Sequence, residues 1–154
     1  MFQLYNSLIL PYLNYGLLLW GNANKYLMTK ILRLQKRALR TISNSPYLYP
    51  SKPLFEKYNV LNIFQMYSYE LAIFMYKFKH EMLPPSFNGI FASHHETHNY
   101  NTRNKNDFLI PMQKVKTVLT TGPKVWNDLP NDIKIIKTLG KFKNELKSSL
   151  SSDK

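Results

Sequence analysis

A cluster of basic side chains between residues 25 and 40 is the strongest chemical signal in this sequence. Cations spaced three and four residues apart line one side of a helix, where they can neutralise successive phosphates of a nucleic acid. The first acidic residue is Glu56, and Tyr47, Tyr49 and Tyr58 lie near the cluster, where their rings could stack on bases. The predicted nucleic-acid contacts in this segment are Lys30, Arg33, Lys36, Arg37 and Arg40.

The overall charge also favours a polyanionic partner, although the cluster carries more weight than the total. The formal net charge is +12 and the pI is about 9.8. Lys, Asn, Ile and Tyr are all abundant, as happens in an AT-rich genome, so codon bias explains part of this charge. A solvated surface helix is the alternative interpretation of the cluster. Because residues 1–55 contain no acid, contact with a nucleic acid is favoured over a solvated surface.

Arg103 is a further candidate nucleic-acid contact outside the basic helix. It lies in the stretch HNYNTRN, among small polar residues that are typical of a loop. A guanidinium group in such a loop either organises backbone carbonyls or binds a phosphate. The sequence leaves both roles open.

Histidines near Arg103 could ligate a metal ion. His94 and His98 are four residues apart, a spacing that directs both to one metal only on a helix. The stretch HHETHNYNTRNKND, which also contains His95, is instead typical of an irregular loop. The chain has no cysteine, which removes thiolate ligands and disulfides and is compatible with a reducing, intracellular compartment. A polar loop is therefore predicted rather than a metal site.

The groups that enzymatic catalysis needs are not brought together in this sequence. The nine acids are scattered singly, whereas general acid–base and two-metal chemistry require converging carboxylates. Asp128 and Asp132 flank Leu129-Pro130 and are predicted to be turn and cap residues. The five glycines are isolated, so no phosphate-binding loop is present. We predict no enzymatic activity, no cofactor and no metal.

Hydrophobic periodicity predicts a mainly α protein, a helical bundle with a small irregular β-containing segment near the C-terminal third. Short strands are expected within residues 108–121, which are rich in β-branched side chains. The uncharged run Leu8–Trp20 is shorter than the roughly 20 residues of a membrane span and is predicted to be core, without a membrane partner. The predicted helices cover residues 3–19 with an interruption at Pro11, and residues 24–43, 60–82 and 139–150.

The sequence also predicts how the segments are organised and which residues are buried. We expect the chain to form one compact unit from segments 1–46, 47–92, 93–130 and 131–154. Trp20 and Trp126 are expected to be packing anchors. The predicted buried stripe of the helix is Leu27, Ile31, Leu34, Ala38 and Ile42, widened by Met28, Leu32 and Leu39.

The order of several sequence blocks resembles one known family. YNSLILPYLNYGLLLWG is followed by LQKRALRTI, and later by LAIFMYKFKHEMLP, HNYNTRN and GPKVWNDLP, with FKNELK near the end. These blocks resemble the region after the polymerase core of LINE-type (non-LTR) retrotransposon reverse transcriptases of the jockey kind. The resemblance covers residues 3–150. Each block alone is a weak signal, and it is their common order that makes the match specific.

The resemblance implies a non-catalytic fragment of an RNA-directed DNA polymerase. Residues 1 to about 45 would belong to the helical thumb, which lies beside the template–primer duplex and would bring the basic helix close to a nucleic-acid backbone. The fingers, the palm and any endonuclease domain would lie upstream of Met1, as in elements truncated at their 5′ end. Adjacent Asp-Asp, which the palm of the family carries, does not occur in this chain, so we expect no polymerisation.

Two other functions are compatible with the same residues. Residues 1–22 and 60–82 could form a protein–protein docking module that once packed on the missing palm and now packs on another copy or another protein. The chain could also be a truncated remnant without a function.

Overall fold

The computed structural model describes residues 2–93, 107–112 and 117–152. Helices dominate these ranges, which confirms the predicted mainly α fold. A π-helical segment, Tyr5–Ile9, joins the first two helices, and a 3₁₀ turn covers Pro85–Phe87. The α-helices are α1 (Phe2–Leu4), α2 (Leu10–Asn14), α3 (Leu17–Trp20), α4 (Lys25–Ile42), α5 (Lys52–Lys57), α6 (Ile63–Lys79), α7 (Val118–Asn127), α8 (Asn131–Lys134) and α9 (Leu139–Ser152).

The β-containing segment is smaller than the sequence predicts. In the described ranges, β pairing is limited to an isolated antiparallel bridge between Ser93 and Phe108. The expectation of strands up to residue 121 is wrong, because α7 begins at Val118. Thr117 starts this helix: its N–H donates to Thr120 Oγ1 over 2.9 Å. This bond pairs the Thr117 N–H at the start of the helix. In a strand, the same N–H would instead pair with a neighbouring strand.

Contacts divide the chain into two compact units, not the single unit expected from sequence. Unit 1 comprises Met1–Tyr67 and Lys147–Lys154, and unit 2 comprises Ser68–Leu146. The divisions therefore fall inside the long helices α6 and α9, where the sequence offers no loop or composition change that would mark a boundary.

The first twenty residues of unit 1 are broken into short helices for two local reasons. Pro11 lacks an N–H and its ring crowds the preceding turn, and the chain directly before it winds as a π-helix. Gly16 then adopts a left-handed conformation with φ 62°, which a residue without a Cβ tolerates. The segment is therefore interrupted at Gly16, whereas at the predicted position, Pro11, the chain stays helical and changes only from π-helix to α-helix.

The run Leu8–Trp20 is not the core segment that the sequence predicts. Leu17 is buried, but Tyr12, Tyr15 and Leu19 are 81%, 85% and 85% exposed. A run without charged residues is apolar on every side, and only part of it finds partners within unit 1. The core of this unit instead contains Tyr5, Leu39, Leu54 and Val60.

Unit 2 is built on an aromatic cluster around Trp126, which is fully buried. The rings of Phe108 and Phe142 lie 5.9 Å and 6.1 Å from its ring. Asn127 fixes the neighbouring segment, since its side chain accepts from Phe108 N and donates to Phe108 O at 3.0 Å and 2.9 Å. Trp126 is therefore the packing anchor that the sequence predicts.

A buried ion pair lies next to this aromatic cluster, at the end of α7. Lys134 Nζ lies 2.9 Å from Asp107 Oδ1 and donates to Asn127 O over 2.8 Å. Both bonds are needed because an unpaired ammonium would be costly to bury. Asp128 follows α7, as expected for a turn residue, whereas Asp132 lies in the first turn of α8 and does not cap it, because the cap position is Pro130.

His80 is a titratable group packed inside unit 2. Its ring packs 4.2 Å from that of Tyr76, and its Nε2 is buried without a hydrogen-bond partner in the described residues. Burial lowers the pKa of His80, and the nearby charge of Lys79 lowers it further.

Acidification below about pH 6.5 is therefore expected to destabilise unit 2. In this window the unfolded chain binds a proton at His80 that the folded chain resists, so the free energy of unfolding falls as pH falls. Thermal unfolding of the wild type and of His80→Phe between pH 7.5 and 5.5 measures this effect. Other titrating groups, including Glu70, whose pKa is raised mainly by burial, contribute to the pH dependence of stability in both the wild type and the variant. An identical pH dependence in the two would contradict the prediction.

Candidate nucleic-acid interface

The basic helix of the sequence is α4, and its bounds agree with the prediction. Asn24 caps its start: the Oδ1 of this residue accepts a hydrogen bond from Tyr26 N over 3.0 Å, which satisfies a free backbone donor. After Ile42 the chain turns through Asn44, whose φ is 50°. Local sequence is thus sufficient to fix where the helix begins and ends.

The buried side of α4 differs from the predicted stripe. Met28, Gln35 and Leu39 are buried, whereas Leu27 is 50% and Leu34 is 65% exposed. The prediction is therefore wrong for two of its five central residues. The helix is rotated toward the side that carries Met28 and Leu39, by roughly 80° on a wheel of 100° per residue.

Gln35 accounts for this rotation. Its Nε2 donates to Tyr5 Oη at 2.8 Å and to Leu61 O at 2.9 Å, and its Oε1 accepts from Ile63 N at 3.0 Å. A buried amide is stable only when its donors and acceptors are paired, and these partners occur on one side of the helix. Burial raises the pKa of Tyr5, and the bond from Gln35 opposes that effect.

Arg33 and Arg37 stand at the centre of the exposed basic face. Both side chains are exposed, and within the part of the chain that the structure describes neither has an ion pair with an acid. Nearby, Lys30 Nζ lies 4.5 Å from the centre of the Tyr26 ring, a cation–π distance. Like charges at this spacing repel one another, and an external anion would relieve the repulsion.

Arg40 and Lys36 belong to the same face, with Lys36 at its edge. Arg40 Nε donates to Tyr49 O over 2.7 Å, so this side chain also fixes the loop after α4. Tyr49 is partly exposed and Tyr47 is 76% exposed on that loop. Lys36 is half-buried and borders a cleft between α4 and α5. The structure therefore brings the five predicted cations of α4 onto one connected surface.

Other predicted site residues lie outside the described ranges. These are Arg103 and the histidines His94, His95 and His98. In the ranges 2–93, 107–112 and 117–152, no three His, Cys, Asp or Glu side chains are arranged to hold a metal ion. Over the same ranges, no helix combines the length and the apolar character that crossing a membrane requires.

Gln35 orients the basic helix, and the sequence predicts no role for it. Glutamine is more often exposed than buried, so its residue type alone does not indicate a buried position. A signal was nevertheless present: Met28, Gln35, Leu39 and Ile42 follow spacings of seven, four and three residues, which place them on one side of a helix.

The arrangement presents positive charge at a spacing that suits the phosphates of a polyanion. Its cations are Lys and Arg, and the only acid near them on α5 is Glu56. Such a surface recognises phosphates by charge and spacing, not base sequence.

No family model, no curated protein and no solved structure matches this chain.

Proposed function

We propose that this protein is a non-catalytic fragment of a retrotransposon reverse transcriptase that binds RNA or an RNA–DNA duplex through α4. The observation that carries the binding is the exposed pair Arg33 and Arg37, one helical turn apart and without acidic partners among the described residues. Two cations at this spacing can contact neighbouring phosphates along one strand. The ordered sequence blocks support the origin.

The proposed fragment neither polymerises nor cuts nucleic acid. Polymerisation needs carboxylates that bind two metal ions at the growing end, and the chain has no adjacent Asp-Asp. Its role would be to hold a nucleic-acid backbone without regard to sequence.

Binding is expected to weaken steeply with salt. Each phosphate neutralised on duplex DNA contributes a slope of about −0.9 in log affinity against log salt, so four or five engaged side chains give a slope of about −4. The measurement is fluorescence anisotropy with labelled single-stranded RNA, duplex DNA and RNA–DNA hybrid at 50–200 mM salt. Binding that does not change with salt would contradict this mechanism.

A docking module is the second candidate function. Tyr12, Tyr15 and Leu19 are more than 80% exposed, and clustered apolar exposure favours association. By contrast, Leu71, Met75 and Tyr76 of α6 are fully buried, so this helix offers little for docking. Oligomers that persist in high salt, without any nucleic-acid binding, would favour the docking function.

A further inference from the structure

A cleft in unit 1 opens beside the basic face of α4. Its volume is about 280 Å³, near the lower end of the roughly 300–1,000 Å³ typical of small-molecule sites. Residues of α4, α5, the start of α6 and the end of α9 line it. It is therefore large enough for one compact, flat group, but not for a folded segment of another chain.

Lys36 connects the cleft to the basic face. It lies one turn after Leu32, and both side chains line the cleft. Arg33 and Arg40 are three residues before and four residues after Lys36, so they are its neighbours on the surface of α4. A strand whose phosphates follow these cations passes the mouth of the cleft.

The lining offers an apolar wall to an uncharged aromatic group. Leu32, Phe55 and Val60 provide this wall, and Phe55 also packs on the core of unit 1. Lys36 and Lys52 add two positive charges to the lining, and Glu56 adds one negative charge. A base could stack on the Phe55 ring, while the two lysines bind the phosphates beside it.

We infer that this cleft takes up one unstacked base of a single-stranded nucleic acid whose phosphates lie on Lys36 and the neighbouring arginines of α4. The inference rests on the proposed function and restricts its ligand to single-stranded nucleic acid, because a single strand releases a base more easily than a duplex does. The base adds affinity by stacking and the cations hold the backbone, so the two contributions can be measured separately.

Two RNA strands of equal length and charge test the inference: labelled oligoadenylate and the same strand with abasic positions at its centre. The wild type is expected to bind the base-bearing strand about tenfold or more tightly, because stacking on an aromatic side chain contributes about 1–3 kcal/mol per base, and tenfold corresponds to about 1.4 kcal/mol. Phe55→Leu should reduce this preference while retaining apolar packing. Ser151→Trp, at an exposed position lining the cleft, should block the cleft and leave Phe55 intact.

Asn144→Trp is the matched control, since this residue is exposed on α9 and is not among the cleft residues. It should retain the full preference for the base-bearing strand. Equal affinity of the wild type for the two strands overturns the base cleft and leaves backbone binding by α4 intact. Unchanged preference in folded Phe55→Leu and Ser151→Trp also overturns it. If neither strand binds, the proposed function and the inference both fail.

Discussion

The double substitution Arg33→Glu/Arg37→Glu is expected to lower nucleic-acid affinity at least 100-fold near 100 mM salt. It removes two exposed cations and places two carboxylates at the centre of the basic face, so phosphates are repelled where they were attracted. A hydrogen bond to a charged group contributes about 1.5–3 kcal/mol, and two such losses exceed the roughly 2.7 kcal/mol that 100-fold represents. The slope of log affinity against log salt should also become shallower by about two.

The fold should survive this change, because neither guanidinium group has an ion pair among the described residues and the backbone bonds of α4 do not depend on these side chains. Glutamates among Lys30, Lys36 and Arg40 also relieve repulsion along the helix. Lys137→Glu/Lys141→Glu is the control: both lysines are exposed, and the pair changes the net charge by the same amount. If the two double variants lose affinity equally, total charge rather than the face of α4 controls binding. Affinity retained by the arginine variant would contradict the assignment of this face.

Gln35→Met is expected to destabilise unit 1 by roughly 3–5 kcal/mol. Methionine has a similar length and fits the same space, but it leaves Tyr5 Oη, Leu61 O and Ile63 N without the partner they now have. Each buried polar group left unpaired costs about 1–3 kcal/mol. A loss of this size is a large part of the 5–15 kcal/mol that holds a typical domain together.

Gln65→Met provides the matched comparison. Gln65 Nε2 donates to Leu150 O over 2.6 Å, but Gln65 is only half-buried and borders the cleft, so water can replace its bonds. Its substitution should cost about 1 kcal/mol. Urea unfolding of both variants, followed by circular dichroism, measures the difference. A Gln35→Met protein within 1 kcal/mol of the wild type would show that the network does not fix α4.

Nucleic-acid binding by Gln35→Met separates stability from orientation. Gln35 lies on the side of α4 opposite Arg37, so it cannot contact a strand bound by the basic face. If α4 is released and rotates, the exposed side gains apolar residues and some of the cations no longer face the strand. Affinity should then fall in the variant even at temperatures where it stays helical.

Local sequence determines where the two long helices α4 and α6 begin. The start of α4 is set by Asn24, whose side chain bonds the next turn. The start of α6 is set in the same way by Asn62, whose Oδ1 accepts from Phe64 N and Gln65 N at 3.0 Å and 3.1 Å. Such bonds join residues two or three positions apart, so they can be predicted without knowledge of the fold.

The same local rules fail at Val118, where β-branched side chains predict a strand and the structure has α7. The buried residues Gly122, Pro123 and Trp126 belong to this helix, and a Cβ at Gly122 would lie 2.9 Å from Met75 Sδ on α6. Close packing of α7 against α6 therefore overrides the intrinsic preference of the segment. That packing joins residues more than forty positions apart in the sequence.

The sequence by itself determined the charge of this protein, its helical class and the residues of its basic face. Only the tertiary structure decided which side of α4 is covered. Leu27 and Leu34 are as apolar as Met28 and Leu39, so periodicity alone permits either side to be buried. The choice comes from Gln35, whose partners Tyr5, Leu61 and Ile63 are 30, 26 and 28 residues away. Hydrogen bonds over such distances exist only once the chain has folded, and they turn Arg33 and Arg37 toward solvent.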